Sequence, residues 1–350
     1  CCGKVVGRGN SHSMQEIPRG YAHCPRLVAF TPMSALSPIN RESELRTDAT
    51  KLAQLWKSAH IIHMVDNRLS AADDSLTFID ADGVAALADV FVDGERFFLG
   101  IGRDDKQPYF AWRTTWINPP VDDGTEDFEK RKYEGFKSLR ELGGTLDADE
   151  LALAMHAVGL ANWHATHTHC ARCGAPTVSD LGGSVRVCPV DSTQHHPRTD
   201  PAVIVLVKDK DDRILLGHQP VWPAKRFSTF AGFVETGESF EECVSREVFE
   251  EAGVYASEIK YLTSQPWPFP ASIMIAFEAI THRPEEARPD GTEITEVRWF
   301  SRDEMKKAVA AEDILLPPTM SVARRMIQAW YTAVDGYTRD QLRGGESWRP

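Results

Sequence analysis

Apolar residues fall into short β-like runs in the first part of this chain, and into alternating runs and helical stripes in the last. From Leu27 to about Gly144 the runs include Leu76 to Ile79, Phe91 to Ile101 and Pro108 to Thr114, which predicts a mostly antiparallel domain. Asp93-Gly94, lying between apolar stretches, predicts a hairpin turn. Helical pieces are expected near Thr50 to Trp56 and Thr125 to Leu142, and a longer helix over Asp147 to His164, where acidic residues suit the N-terminus. Beyond, Ala202 to Lys208 is a continuous apolar run typical of a buried strand. An Asp209 to Arg213 turn and the strand Ile214 to Gly217 follow it. Ile273 to Ile280 and Val297 to Phe300 read as strands, and Val322 to Val334 as a closing helix. Ser239 with Glu242 three residues later is a capping box, and Gly253 stands where a helix end favours a left-handed residue. Between them Phe240, Val244 and Val248 make one apolar stripe. The chain is therefore expected to be α+β, with an αβα sandwich in its C-terminal part.

That capped helix has a second face. Glu247, Glu250 and Glu251 are spaced i, i+3, i+4 and crowd three carboxylates together, and like charges at that distance raise one another's pKa unless a cation neutralises them. Mg²⁺ or Mn²⁺, which take oxygen ligands and keep waters and phosphates in their shell, are the natural remedy. Arg246 lies four residues before Glu250 and can hold it, with Glu238 completing the set, while Gly232 and Gly237 leave the preceding loop free in its backbone. A solvated acidic face is the plainer reading of a Glu-rich helix, but the whole pattern Gx5Ex7REUxEExGU, with U aliphatic, is met from Gly232 to Val254.

A second constellation lies upstream. Cys170, Cys173 and Cys188 are arranged as CxxC, fourteen residues, then CPVD, so Asp191 occupies the position of a fourth zinc-ribbon cysteine. Asp oxygen is an accepted Zn²⁺ ligand; His169, His195 and His196 are nearby substitutes, and a closed shell of four would be structural. His60 and His63 have ligand-like spacing but read as surface or core histidines with satisfied nitrogens.

Composition narrows the class. In 350 residues, 42% apolar, there is room for two or three domains, and no run has the length of a membrane span. A formal charge of −12 argues against broad electrostatic capture of nucleic acid, DNA included. Seven cysteines with a CxxC pair and no secretory segment favour a reducing cytoplasm. The expected divisions are a disordered extension over 1–26 that begins with Cys1, an α+β domain over 27–165, a ribbon over 166–198, a catalytic domain over 199–336 and a tail over 337–350.

Ser264-Gln265-Pro266-Trp267-Pro268-Phe269-Pro270-Ala271-Ser272 narrows the substrate. Prolines at alternate positions fix φ and remove donors, which excludes a central strand and predicts a stiff extended loop. Trp267 or Phe269, held in such a loop, can stack a nicotinamide or purine ring, an interaction worth about 1–3 kcal/mol for bases on aromatics.

The residues from Gly232 to Val254 resemble the Nudix box, and with SQPWPFPAS downstream the chain resembles the NADH pyrophosphatase branch of that superfamily, the NudC type. The resemblance implies a Nudix fold, an N-terminal domain joined to it by a zinc ribbon, and hydrolysis of NAD(H) to NMN(H) and AMP. It also implies removal of NAD caps from RNA 5′ ends, in a homodimer whose active site is shared between subunits. It implies metal binding by the Ala231 carbonyl, Glu247, Glu251 and Glu293, with Glu250 in the same cluster, and one of Glu251 or Glu293 as the base. Phe233 and Trp267 would sandwich the nicotinamide, Gln265 to Ser272 would line the substrate, and Ala323 and Arg140 would contact it. His196 stands where the branch has a stacking tyrosine, and Asp191 where it has the last zinc cysteine. ADP-ribose or a dinucleoside polyphosphate is the alternative substrate.

Overall fold

The computed structural model describes residues 37–125 and 127–343; the expected extension over 1–26 and the part of the expected tail from 344 onward lie outside the described residues. The N-terminal domain is built on an eight-stranded sheet. Its main path runs Ile39–Asn40, Phe91–Gly102, Pro108–Trp116, His60–Val65, Arg68–Ala72, Ser75–Leu76, antiparallel except where Pro108–Trp116 lies beside His60–Val65. The expected hairpin at Asp93-Gly94 is instead a bulge inside one twelve-residue strand, with the register slipping between Val92 and Glu95. A tight hairpin turn needs left-handed backbone, which Gly94 does not adopt. Glycine is required because a Cβ there would lie 1.8 Å from the Arg113 carbonyl oxygen. The turn that does close a hairpin is Asp66-Asn67, with φ of 48° and 62°, between Val65 and Arg68. Thr125 to Leu142, expected as helix, is broken into Phe128–Lys132 and Leu139–Leu142 by Gly135 at φ 78° and the strand Phe136–Ser138. The helix Ala148–Thr166, capped by Asp147, packs Leu153, Ala157 and Ala161 against Ile62, Met64 and Phe97. His63 is a packed histidine, stacked on Trp112 at 4.6 Å and bonded to Thr114 at 2.8 Å.

A three-stranded ribbon, Val178–Asp180, Val185–Val187 and Gln194–His195, follows that helix. It is tied to the N-terminal sheet by Arg186, whose guanidinium donates to Glu95 at 3.0 Å and to Thr177, while Glu95 also accepts from Arg113 at 2.8 Å and meets His164 at 3.0 Å. Burial alone would push the Glu95 carboxyl up, but His164 and Arg113 outweigh it and hold the group at about 2.

The C-terminal domain is the expected sandwich. Its sheet runs Ser257–Trp267, Ser272–Ile280, Asp200–Lys208, Ile214–His218, Glu296–Phe300, and Phe230–Phe233 also pairs with Asp200–Lys208. One face buries Val203, Val205 and Phe277 under Val244, Val248 and Ala252 of the helix Phe240–Ala252; the other buries Leu206, Ile214 and Phe300 under the helices Arg302–Ala310 and Val322–Thr332. Phe240 does not join the stripe: it is 41% exposed, and Cys243 is buried instead. The proline-rich segment also differs from expectation. Up to Trp267 it is an edge strand paired with Ser272–Ile280, where Pro266 is tolerated because the edge leaves no partner short of a donor. Of the expected tail, Arg339–Leu342 is a short helix with Leu342 fully buried, its carbonyl accepting from Arg324 at 2.6 Å.

Candidate active site

The helix Phe240–Ala252 starts at a capping box in which Ser239 and Glu242 bond each other's backbone, and stops at Gly253 at φ 69°. These two ends set the rotation of its acidic face. Glu251 is 2% exposed, beneath the strand Phe230–Phe233, and accepts the Ala231 N–H at 3.1 Å. In an extended strand a residue's N–H and C=O project to the same edge, so the Ala231 carbonyl turns toward the carboxylates too. Glu247 lies under Gly232 so closely that a Cβ there would fall 1.9 Å from its carboxyl carbon. Glu250 departs from the other two: its side chain is 56% exposed and ion-paired to Arg246. Arg246 is the hub, donating to Glu238 at 2.8 and 2.9 Å, Glu247 at 2.8 Å, Glu250 at 3.0 Å and the Phe233 carbonyl at 3.0 Å.

Burial, then the nearby charge of Glu293, pushes the Glu251 carboxyl up to about 8; Glu247 and Asp290 add to the rise and the Ala231 N–H opposes it. Burial raises Glu247 as well. Glu293 is exposed in a loop folded by Asp290, whose carboxylate accepts the N–H groups of Thr292, Glu293 and Ile294. Asp290 is a neighbour of the carboxylate cluster that sequence reasoning missed, though Asp290-Gly291 is a turn signal that could have drawn attention to it. The glutamates are not closed to ligand distance: among the described residues the one group with mutually close donor atoms is in the ribbon. A buried carboxyl that keeps its proton beside two further carboxylates nonetheless suits a hard divalent cation that brings its own water and phosphate oxygens.

A cavity of about 300 Å³ opens over Glu251 and brings together Ala231, Glu251, Gln265, Trp267 and Ala323. Phe233, two residues beyond Ala231 on the same face of its strand, is 58% exposed. Gln265 forms wall, not a free contact: its amide donates to the Met320 carbonyl at 2.7 Å and accepts from the Val322 N–H at 2.6 Å. Trp267 meets Phe269 edge to face at 4.9 Å, and Arg140 lies over the Phe269 ring at 4.1 Å. Ser272 lies apart from this cavity, lining a larger one of about 610 Å³ on the other side of the edge strand, and exposed His196 is in neither.

In the ribbon the donor atoms of Cys170, Cys173, Cys188 and Asp191 all lie within 4.8 Å of one another, with Cys173 and Cys188 sulfurs 3.5 Å apart and Cys170 3.8 Å from Asp191. Tetrahedral Zn²⁺ with Zn–S near 2.3 Å needs sulfurs about 3.8 Å apart, so the four residues fit the ion, Asp191 as the fourth ligand. Burial would raise the Cys170 thiol, but backbone N–H groups of Cys173 and Arg172 bring it down to about 7.

A sandwich with this carboxylate helix beside a substrate-sized cavity defines a Nudix hydrolase, and residues 198–318 match the NUDIX domain family. Residues 165–195 match the NADH pyrophosphatase zinc ribbon domain, and 58–163 the NADH pyrophosphatase-like rudimentary NUDIX domain. The NAD-capped RNA hydrolase NudC of Mycobacterium bovis (strain BCG / Pasteur 1173P2) is 37% identical over 308 residues, 85% of this chain and 94% of that one. NudC of Stutzerimonas stutzeri (strain A1501) is 35% identical over 66% of this chain and 76% of its own. The mitochondrial NAD(P)H pyrophosphatase NUDT13 of Mus musculus is 38% identical over 56% of this chain and 59% of its own. The chain belongs to the NADH pyrophosphatase branch of the Nudix hydrolases, the NudC type.

Proposed function

We propose that the protein hydrolyses the diphosphate of NAD(H) to NMN(H) and AMP, and removes NAD caps from RNA 5′ ends, with Mg²⁺ or Mn²⁺ held by Glu247, Glu251, Glu293 and the Ala231 carbonyl. The observation behind this reading is the single cavity that joins Glu251 and Ala231 to Trp267, an anion-handling end and a ring-binding end in one space. Held by these residues, the cation would supply positive charge against the diphosphate and make water easier to deprotonate. The chain's own groups do the rest. Arg246 holds Glu247 and Glu250 in place, Trp267 grips the ring, and Glu251 or Glu293 accepts the proton of the attacking water. Exposed Phe233, on the face of Ala231, is an aromatic with room to offer the ring a second stacking surface. No helix among the described residues is long and apolar enough to cross a membrane.

The test is release of AMP and NMNH from NADH by purified protein supplied with Mg²⁺ or Mn²⁺, and its abolition by a chelator. An intact dinucleotide after prolonged incubation would end the proposal.

A further inference from the structure

Resting on the reading that Trp267 grips the nicotinamide end, we propose that Asn162, on the long helix of the N-terminal domain, is a positioning residue for the aromatic segment. Its Nδ2 donates to two carbonyls of that segment, Pro268 at 2.9 Å and Pro270 at 3.0 Å, one on each side of Phe269. The segment cannot satisfy these oxygens readily by itself, since Pro266, Pro268 and Pro270 have no N–H to offer. Phe269 spends its own N–H on the Trp267 carbonyl at 2.7 Å. The direction of the Asn162 amide is set from the other end: its Oδ1 accepts from Asn67 Nδ2 at 2.8 Å, so the amino group has to face the prolines. Asn67 in turn stands in the Asp66-Asn67 turn, at φ 62°.

A line of hydrogen bonds thus runs from a hairpin turn of the first domain, through Asn162, to the carbonyls flanking Phe269. That ring packs edge to face on Trp267, which lines the cavity with Glu251. The first domain has no carboxylate box, and this contact gives it a task in the reaction: it fixes the plane against which the ring stacks. Holding the plane in place before binding lowers the ordering cost of capture, so the effect belongs in KM for substrates that carry the ring.

Asn162→Asp replaces the donor by an acceptor facing two carbonyls at nearly the same size, and Asn162→Leu removes both polar atoms while keeping the branching. The expected result for both is a rise of about tenfold in KM for NADH, roughly 1.4 kcal/mol. For ADP-ribose, which has the diphosphate without the ring, kcat/KM should change by less than about twofold. Hydrogen exchange read by mass spectrometry should quicken in the peptide over residues 264–272 and stay unchanged in the helix Phe240–Ala252. Asn67→Ala should give a smaller effect in the same direction and little more in the double variant, as members of one line do. Equal losses on both substrates, or unchanged exchange over 264–272, would overturn the assignment. If the unmodified enzyme left NADH uncleaved, the functional reading would fail while the exchange measurement still decided whether Asn162 holds the segment.

Discussion

Buried beneath the strand Phe230–Phe233, the Glu251 carboxyl keeps its proton up to about pH 8, because water is excluded and the charge of Glu293 lies nearby. Its folded-state value is raised above that of the unfolded chain. The metal-free protein therefore has the full benefit of this group below about pH 4.5 and loses it as pH rises toward 8. A divalent cation binding at pH 7 must displace that proton. Titration calorimetry with Mn²⁺ in buffers of different ionisation enthalpy should accordingly report release of about one proton per chain, and Glu251→Gln should report none. Equal heats in all buffers would mean that Glu251 is already ionised. The same substitution should lower turnover at least about a hundredfold with the melting temperature preserved. The spacing of Glu247, Glu250 and Glu251 made a shared face legible in the sequence. It could not reveal that Glu250 turns out to Arg246, since i and i+3 neighbours on a helix differ by tens of degrees and only the packing of Ala231 and Gly232 decides which two go inward.

At the scale of the element, the box helix was the most legible part of the chain, because its two ends are signalled by local chemistry: a reciprocal Ser239–Glu242 cap and a left-handed Gly253. The strand opposite it, Phe230–Phe233, was not, as four residues containing a glycine carry no period. Yet Gly232 is what lets strand and helix approach. A Cβ added there would overlap the Glu247 carboxyl, and the strand cannot yield, since Gly232 is paired with Val203. The side chain of Glu247 can move at its far end, so the expected result of Gly232→Ala is a small change in melting temperature with a fall in kcat of about tenfold or more. A large loss of stability with kcat intact would show that the close approach serves packing alone. The proline segment and Asp93-Gly94 were misread for a related reason. Proline excludes a central strand but not an edge, and glycine between apolar runs fits a bulge as well as a turn; the neighbouring strand, distant in sequence, decides both.

Taken whole, the two larger sheets of the described residues share one plan, each antiparallel but for one central parallel pair, His60–Val65 with Pro108–Trp116 and Asp200–Lys208 with Ser272–Ile280. The ribbon stands between them in the chain: Arg186 reaches Glu95 in the first sheet, and past the ribbon the chain leads to Asp200, which opens the central strand of the second. Its fold should then depend on the ion, and the strength of that dependence rests on Asp191. That carboxylate is held well below its usual range, first by the Thr193 N–H and then by Cys188, so it is an ionised donor at any neutral pH. A carboxylate still binds Zn²⁺ less tightly than a thiolate, whose softness suits the ion better. Metal analysis should find about one zinc per chain. On challenge with a chromogenic chelator, release should be fastest from Asp191→Ala, intermediate from the unmodified protein and slowest from Asp191→Cys, with melting temperatures in the reverse order. Identical release from all three would mean that a histidine, such as His195 beside Cys170, fills the fourth position.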